Sequence, residues 1–518
     1  MGKNLSAYLN ALGPLVRKSV IHEPEQVIRG VANDSRRVGK DFIFCAIKGA
    51  KSDGHCFISD AVRNGASVIF ASDEVSVPEW ISVIYVSDSY HAWGVLCAEF
   101  FDNPADHLDI FAVTGTNGKT SIAFMLKRIL TAYGLACGLI STVEYDDGGK
   151  APPEEAARTT PDSYSIQELF ARMLRNGCRC AVIEASSHGL HQHRTGNVRF
   201  AGAIFTNLTG DHLDYHHTME AYYQAKKLLF SEMLRPGAPA VVNIDDEWGS
   251  RLVSELPGKR VLTLSRENPD ADGYIHSVSL SGSGTEFSLR TAGREIRIKS
   301  VLIGEHNVCN MSLAALAAYA CGVPAELIAE TLSAPDIAPP GRLEPFGLPN
   351  GARAFVDYAH TDDALFRVLT AIRAFCKGRI ITVFGCGGDR DRTKRPRMAS
   401  VVSELSDISI VTSDNPRTED PRAIIAEILP GIRSGAEYFA DPDRRSAILK
   451  AAAISRRDDI ILIAGKGHEN YQEINGVQYH LDEREVVAGY FRGQREGAGK
   501  KQGQGTENGG KVPAYVVK

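Results

Sequence analysis

The most constraining feature of this chain is a compact apolar run, Leu108 to Val113, that leads straight into Thr114-Gly115-Thr116-Asn117-Gly118-Lys119-Thr120 and then into a helical pattern. Strand, glycine-bearing loop and helix in that order open an α/β unit. Glycines let backbone N–H groups approach an anion closely, and a helix N-terminus adds a favourable dipole. Lys119 supplies a cation for terminal phosphates, and the Thr120 hydroxyl is placed to hold Mg²⁺. The general form of such loops would put a further glycine where Val113 stands.

Other segments extend the same architecture. Buried-strand patterns recur at Ala181–Ile183, Ala203–Thr206 and Pro239–Asn243, with helical stretches between. Residues 261 to 302 alternate differently, as in Gly284 to Leu289 and Glu295 to Val301, and predict antiparallel strands. His306 to Tyr319 reads as a small-residue helix. Pro335, Pro339, Pro340 and Gly341 give the strongest linker signal. Beyond it, Ala354–Val356, Ile380–Phe384, Ile408–Thr412 and Ile460–Ile463 predict a second, doubly wound sheet. The expectation is an α/β chain of three domains. These are a mixed α/β domain over 1–105, a central phosphate-loop domain with a mostly parallel sheet over 106–338, and a Rossmann-like doubly wound domain over 339–495. Residues 496–518, rich in Gly, Lys and Gln, are expected to be a disordered tail.

Bulk properties exclude several classes. With 518 residues, one core is too few, and roughly two to four domains are expected. A net charge of −5 gives no electrostatic reason for a nucleic-acid or membrane partner. Ten scattered cysteines without a C-x-x-C pair argue against a disulfide framework and fit a reducing compartment. The sequence shows no apolar stretch of membrane-span length and no signal-peptide core, so a cytoplasmic protein is the expectation; a monomer is expected.

Unusual polar groups then gather at predicted strand ends, where open α/β sheets collect ligands. Glu184 follows Ala181–Ile183, Asp211-His212 follows Phe205–Leu208, and Lys226 lies in a predicted helix beside Lys227. Residue types alone do not choose between the two lysines. His212, His216 and His217 are also open to a zinc reading, although H-E-x-x-H is absent.

The loop Thr114–Thr120 resembles the nucleotide loop of the Mur ligase family and the related folylpolyglutamate synthases, and the resemblance covers roughly residues 30 to 490. Within the family it is similar to the branch that adds the third peptide residue of a UDP-linked cell-wall precursor. That resemblance implies ATP contacts at Gly115, Thr116, Asn117, Gly118, Lys119, Thr120, Ser121, Asn307, Arg342, Asp357 and His360. It implies Mg²⁺ on Thr120, Glu184 and His212, with Lys226 carbamylated by CO₂ as a further ligand. Its register selects Lys226 over Lys227 and makes Lys119, Glu184, His212 and Lys226 the catalytic set. Asn33, Ser35, Ala50, Lys51, Ser52, Thr159, Thr160, Ser186, Gln192 and Arg194 match positions that hold the UDP-peptide.

By the same resemblance, Arg390, Asp414, Asn415, Pro416, Arg417, Gly465 and Glu469 form the amino-acid pocket. Asp414-Asn415-Pro416-Arg417 is the form shown by relatives that use meso-diaminopimelate. The physical reason is that its second carboxylate suits an arginine fork, whereas lysine or ornithine would be repelled. The implied activity is ATP-driven addition of meso-diaminopimelate to UDP-N-acetylmuramoyl-L-alanyl-D-glutamate through an acyl phosphate. Its partners are then small molecules only: ATP, the UDP-dipeptide and the diamino acid. Three alternatives stay open: addition of lysine or ornithine, a folylpolyglutamate synthase-like ligase, and a nucleotide-gated binding protein without turnover.

Overall fold

The computed structural model describes residues 2–49, 52–281 and 284–500, with side chains to Arg492. The chain divides at Pro339/Pro340 into two compact units, inside the proline-rich segment read as a linker.

The first unit holds two large sheets. The N-terminal one runs in the order Val16–Val20, Ser82–Val86, Ala66–Ala71, Phe42–Cys45, Gly30–Ala32, all parallel except Val16–Val20. Its strands are apolar on both faces. Ile43, Val68 and Ile84 pack against the helices Leu5–Leu12 and Ser89–Phe100, while Phe44, Ile69 and Val83 pack against Ile58–Arg63.

The central sheet has eleven strands. From one edge it reads Glu154–Glu155, Glu144–Asp146, Cys137–Ile140, Cys180–Glu184, Asp109–Thr114, Gly202–Phe205, Ala240–Asn243, Val261–Ser265, Gly273–Ser281, Gly284–Thr291 and Arg294–Ser300. Asp109–Thr114 lies between Cys180–Glu184 and Gly202–Phe205, parallel to both. Phe111 and Val113 face the helix Lys119–Ala132, and Ile110 and Ala112 face the opposite core. This two-sided burial explains why the strands are continuous apolar runs.

Antiparallel pairing over 261–302 holds for its last three strands but not for the first. Val261–Ser265 runs parallel to Ala240–Asn243, and Gly273–Ser281 begins parallel to it. Antiparallel pairing starts only with Gly284–Thr291 and Arg294–Ser300. The physical reason is that Val261–Ser265 is the last strand to share the buried sheet. The strands that follow have one exposed face and therefore alternate.

The second unit carries a six-stranded sheet in the order Glu344–Gly347, Arg353–Asp357, Ile460–Ala464, Ile380–Phe384, Ile408–Thr412, Glu437–Asp441. Only Glu344–Gly347 is antiparallel to its neighbour. Helices Arg444–Ile454 and Glu483–Lys500 cover one face through Ala447, Ile448, Val486 and Val487. That last helix is regular through Lys500, so the first residues assigned to a tail are helical, and 501–518 lie outside the described residues. Among the described residues no helix is long and apolar enough to cross a membrane.

Candidate active site

Three neighbouring parallel strands deliver their loops to one place. Asp109–Thr114 ends at Gly115, which has φ +144°, and the turn closes at Gly118 with φ +89°. Both conformations strain any residue with a Cβ. A Cβ on Gly115 would collide with the Thr206 hydroxyl, and one on Gly118 with the Asn310 side chain. The loop is laced to its neighbour. Thr116 N donates to Asn207 O at 2.9 Å, and Asn117 N donates to Asn207 Oδ1 at 3.0 Å. Lys119 folds back over it, its Nζ donating to Thr116 O at 2.7 Å and Gly115 O at 3.1 Å. Thr120 and Ser121, both buried, open the following helix.

Glu184 ends the adjacent strand with no solvent exposure. Its carboxylate accepts from Thr120 Oγ1 at 3.1 Å, from Thr142 N at 2.8 Å and from Thr142 Oγ1 at 3.0 Å. Lys226, on the helix Met219–Ser231, is equally buried; its Nζ donates to Gly115 O at 2.8 Å and lies 4.5 Å from the Tyr222 ring centre. Burial first, and then the Lys119 cation, hold the Lys226 amine far below the usual lysine range, with Asp211 opposing. His212 starts a short helix at φ +57° and packs on Tyr222, ring centres 6.0 Å apart. Crowding by protein first, with His188, Lys226 and Lys119 adding, pushes its pKa down to about 3 against the pull of Asp211. Thr120, Glu184, His212 and Lys226 therefore converge beside the loop. The zinc alternative does not gather: His216 is buried against Tyr222, and His217 is exposed.

The residues read as UDP-peptide contacts divide into two groups. Thr160 Oγ1 donates to Glu184 O at 2.7 Å and accepts from Ser186 N at 2.9 Å. Arg194 Nη1 donates to Thr160 O at 2.7 Å, and its Nε and Nη2 grip Gln192 Oε1 at 3.0 and 2.8 Å. Thr159 joins through Thr142 Oγ1 at 3.1 Å. Asn33, Ser35 and Ser52 instead follow the carboxyl ends of Gly30–Ala32 and Phe42–Cys45 in the N-terminal sheet, and Asn33 and Ser52 are exposed. Ala50 and Lys51 lie outside the described residues.

Asn307 is buried on the helix Glu305–Ala320, its amide donating to Ile303 O at 2.9 Å. One turn on, Asn310 reaches the phosphate loop at Gly118 and donates to Asn307 Oδ1 at 3.4 Å. Sequence reasoning passed over Asn310. The available signal was a second amide three residues along the same helix.

In the second unit, Asp357 is buried at the end of its strand and accepts from Leu343 N at 2.7 Å and Ala359 N at 2.8 Å. Burial raises its pKa, opposed by Arg342 and those two N–H groups. The Arg342 guanidinium lies 4.6 Å from the Tyr358 ring centre, and His360 Nδ1 lies 2.8 Å from Tyr358 O.

The residues expected to form the amino-acid pocket lie on the loops after Ile380–Phe384, Ile408–Thr412 and Ile460–Ala464. Asn415 Nδ2 donates to Glu469 Oε2 at 2.8 Å, and Gly388 N donates to Asn415 O at 2.9 Å. A Cβ on Gly465 would strike the Asp414 carboxylate. Asp414 is buried, which alone would raise its pKa, yet the cations Lys466 and Arg444 hold it below the ordinary value. Arg417 Nη1 donates to Gly388 O at 2.9 Å, and Pro416 is buried beside it. Arg390 reaches solvent on the adjoining loop.

Lys466, which the sequence reading did not single out, is fully buried and donates to Glu469 Oε2 at 2.7 Å and Asn415 Oδ1 at 2.9 Å. Its only sequence signal was a cation between two glycines at a strand end. Arg444, also fully buried, ties Ser413 O at 3.1 Å to Ala464 O at 2.8 Å and pairs with Glu483 at 2.6 Å. It thereby fixes two of the three loops.

Three family models match in chain order: "Mur ligase family, catalytic domain" over 27–93, "Mur ligase middle domain" over 113–318 and "Mur ligase, glutamate ligase domain" over 341–467. The UDP-N-acetylmuramoyl-L-alanyl-D-glutamate--2,6-diaminopimelate ligase of Clostridium perfringens is 39% identical over 482 residues, covering 91% of this chain and 96% of that protein. The chain belongs to the Mur ligase family. The Geobacter metallireducens protein of the same name is 40% identical over 90% of this chain and 94% of its own. A solved structure of a ligase of that name superposes with a TM-score of 0.66 at 33% identity, covering 96% of this chain and all of the other. A folylpolyglutamate synthase from Mycobacterium tuberculosis, at 18% identity and a TM-score of 0.59, shares the fold. In this Mur ligase the matched middle domain spans the phosphate loop, Glu184, His212, Lys226 and Asn307.

Proposed function

We propose that this Mur ligase joins meso-diaminopimelate to the D-glutamate carboxylate of UDP-N-acetylmuramoyl-L-alanyl-D-glutamate, with ATP converted to ADP and phosphate. The observation that carries the reading is Arg417, its guanidinium held by Gly388 O, in the same loop as Asn415, whose amide meets Glu469 from the loop two strands away. A guanidinium there suits a ligand with a second carboxylate. The names of the relatives agree with it.

ATP would lie with its phosphates over Gly115–Gly118, whose N–H groups and helix dipole favour negative charge. Lys119 is already folded over that loop and can turn to the terminal phosphates. Thr120, Glu184 and His212 suit a hard divalent cation, since Glu184 and Thr120 already meet at 3.1 Å through oxygen. Carbamylated Lys226 would add oxygen ligands, its nitrogen bonding to CO₂ carbon with loss of a proton. Bound Mg²⁺ would supply charge neutralisation for the phosphates. The substrate carboxylate takes the γ-phosphoryl group and becomes an acyl phosphate. The amine of the incoming amino acid then attacks its carbonyl carbon, and phosphate leaves. The protein's part is positioning and electrostatics: Arg194 and Gln192 hold the precursor, while Arg417 takes the distal carboxylate of the amino acid and Asn415 and Glu469 orient its amine.

ADP release tests the reaction class. It is expected only when ATP, the UDP-dipeptide and diaminopimelate are all present. Release driven by a folate substrate instead, or none under any combination, would remove the proposal.

A further inference from the structure

Just past Glu469 the chain forms a hairpin, Tyr471–Ile474 paired with Val477–His480. The family match to the glutamate ligase domain stops at residue 467. The first strand of the hairpin nevertheless touches the Asp414–Arg417 motif along its length. Gln472 Nε2 donates to Asp414 O at 2.6 Å, and Glu473 N donates to Asn415 Oδ1 at 2.9 Å. Arg417 N donates to Glu473 O at 3.1 Å, and Asn475 N donates to Arg417 O at 2.8 Å.

These bonds hold Arg417 at φ +52°, a conformation that a non-glycine residue keeps only where its surroundings determine it. Its side chain is held as well. The Glu473 carboxylate lies 3.2 Å from Nε, while Nη1 is engaged by Gly388 O at 2.9 Å. A guanidinium fixed at two points on different loops keeps one orientation before any ligand arrives. The ordering cost of a long, rotamer-rich side chain is then met by the fold rather than by binding.

We infer that Glu473 is a positioning residue for amino-acid choice, acting through Arg417 rather than on the substrate. The inference rests on the diaminopimelate reading above. Glu473 orients the guanidinium for the distal carboxylate and screens its charge when no such carboxylate is present. It also makes the hairpin part of the pocket wall.

The test uses the full-length protein with meso-diaminopimelate and lysine as alternative substrates. Glu473→Ala should raise the KM for diaminopimelate about 2- to 5-fold, on the scale of one partly exposed ion pair. The KM for ATP should stay unchanged, and the preference for diaminopimelate over lysine should shrink. Glu473→Asp keeps a carboxylate for the guanidinium and should recover part of the loss, whereas Glu473→Gln should recover less. Adding Glu473→Ala to Arg417→Ala should cost nothing further, because residues acting through one group are non-additive. An active unmutated protein whose preference survives Glu473→Ala would overturn the inference, as would a lowered KM, which would make Glu473 a competitor of the substrate carboxylate. An unmutated protein that makes no diaminopimelate product would instead overturn the reading beneath it.

Discussion

Two amines share one acceptor at the phosphate loop: Lys119 Nζ and Lys226 Nζ both contact Gly115 O, at 3.1 and 2.8 Å. Two full cations so close would repel, and Lys226 is the one that burial drives toward neutrality. Lys119 keeps partial solvent access and is the proposed phosphate cation. Lys119→Ala should therefore cut ADP formation by about 10²- to 10³-fold, as the loss of one transition-state donor does. Its thermal unfolding should remain cooperative, and near-normal turnover by the folded variant would remove the loop from the mechanism. Lys226→Ala should likewise lose most activity, with part restored by millimolar small carboxylates. Lys227 pairs with Glu255 at 2.8 Å on the outer side of the same helix, so Lys227→Ala should be mild. Swapped phenotypes, read by ADP release, would show that the register is wrong.

At the scale of elements, Asp459 immediately precedes the strand Ile460–Ala464 that leads into the Gly465–Glu469 loop, and it is buried. It accepts from Arg379 N at 2.8 Å, Arg379 Nη2 at 2.7 Å and Arg456 N at 2.9 Å. Burial alone would raise its pKa, but the Arg379 side chain and these N–H donors outweigh it and hold the carboxyl below its ordinary 3.8. A depressed carboxylate stabilises the fold above the unfolded value, and that stabilisation is lost as pH falls through the folded pKa. Thermal unfolding followed from pH 5 to pH 2 should drop steeply below about pH 4 in the unmutated protein. In Asp459→Asn the same drop should be shallower, and parallel curves would contradict the assignment. Several strands buried on both faces were legible as apolar runs. Ile380–Phe384 and Ile408–Thr412 match their apolar runs to the residue. Cys137–Ile140 was not legible, being four residues long with Gly138 packed on Met173. Nor was Glu437–Asp441, a largely exposed edge with mixed polarity. Site residues on strand ends could be named in advance, but Lys466, Arg444 and Glu473 could not. Their roles lie in partners that folding brings from up to 58 residues away.

Over the whole molecule, the N-terminal and central sheets belong to one compact unit, and the seam between them is tight. A Cβ on Gly94 would lie 2.6 Å from Gly196 Cα, and His91 stacks on His193 with ring centres 4.7 Å apart. His193 sits between Gln192 and Arg194. Gly94→Val should pry this seam and raise the KM for the UDP-dipeptide about tenfold, a change of about 1.4 kcal/mol, while leaving that for diaminopimelate in place. An unchanged UDP-dipeptide KM would show that the seam does not support those residues. The proposed amino-acid pocket of this Mur ligase suits a second carboxylate. The most direct measurement offers purified protein ATP, UDP-N-acetylmuramoyl-L-alanyl-D-glutamate and equimolar meso-diaminopimelate, lysine and ornithine, and weighs the product by mass spectrometry. A product carrying diaminopimelate almost exclusively is the predicted result. A product carrying mainly lysine or ornithine would contradict it.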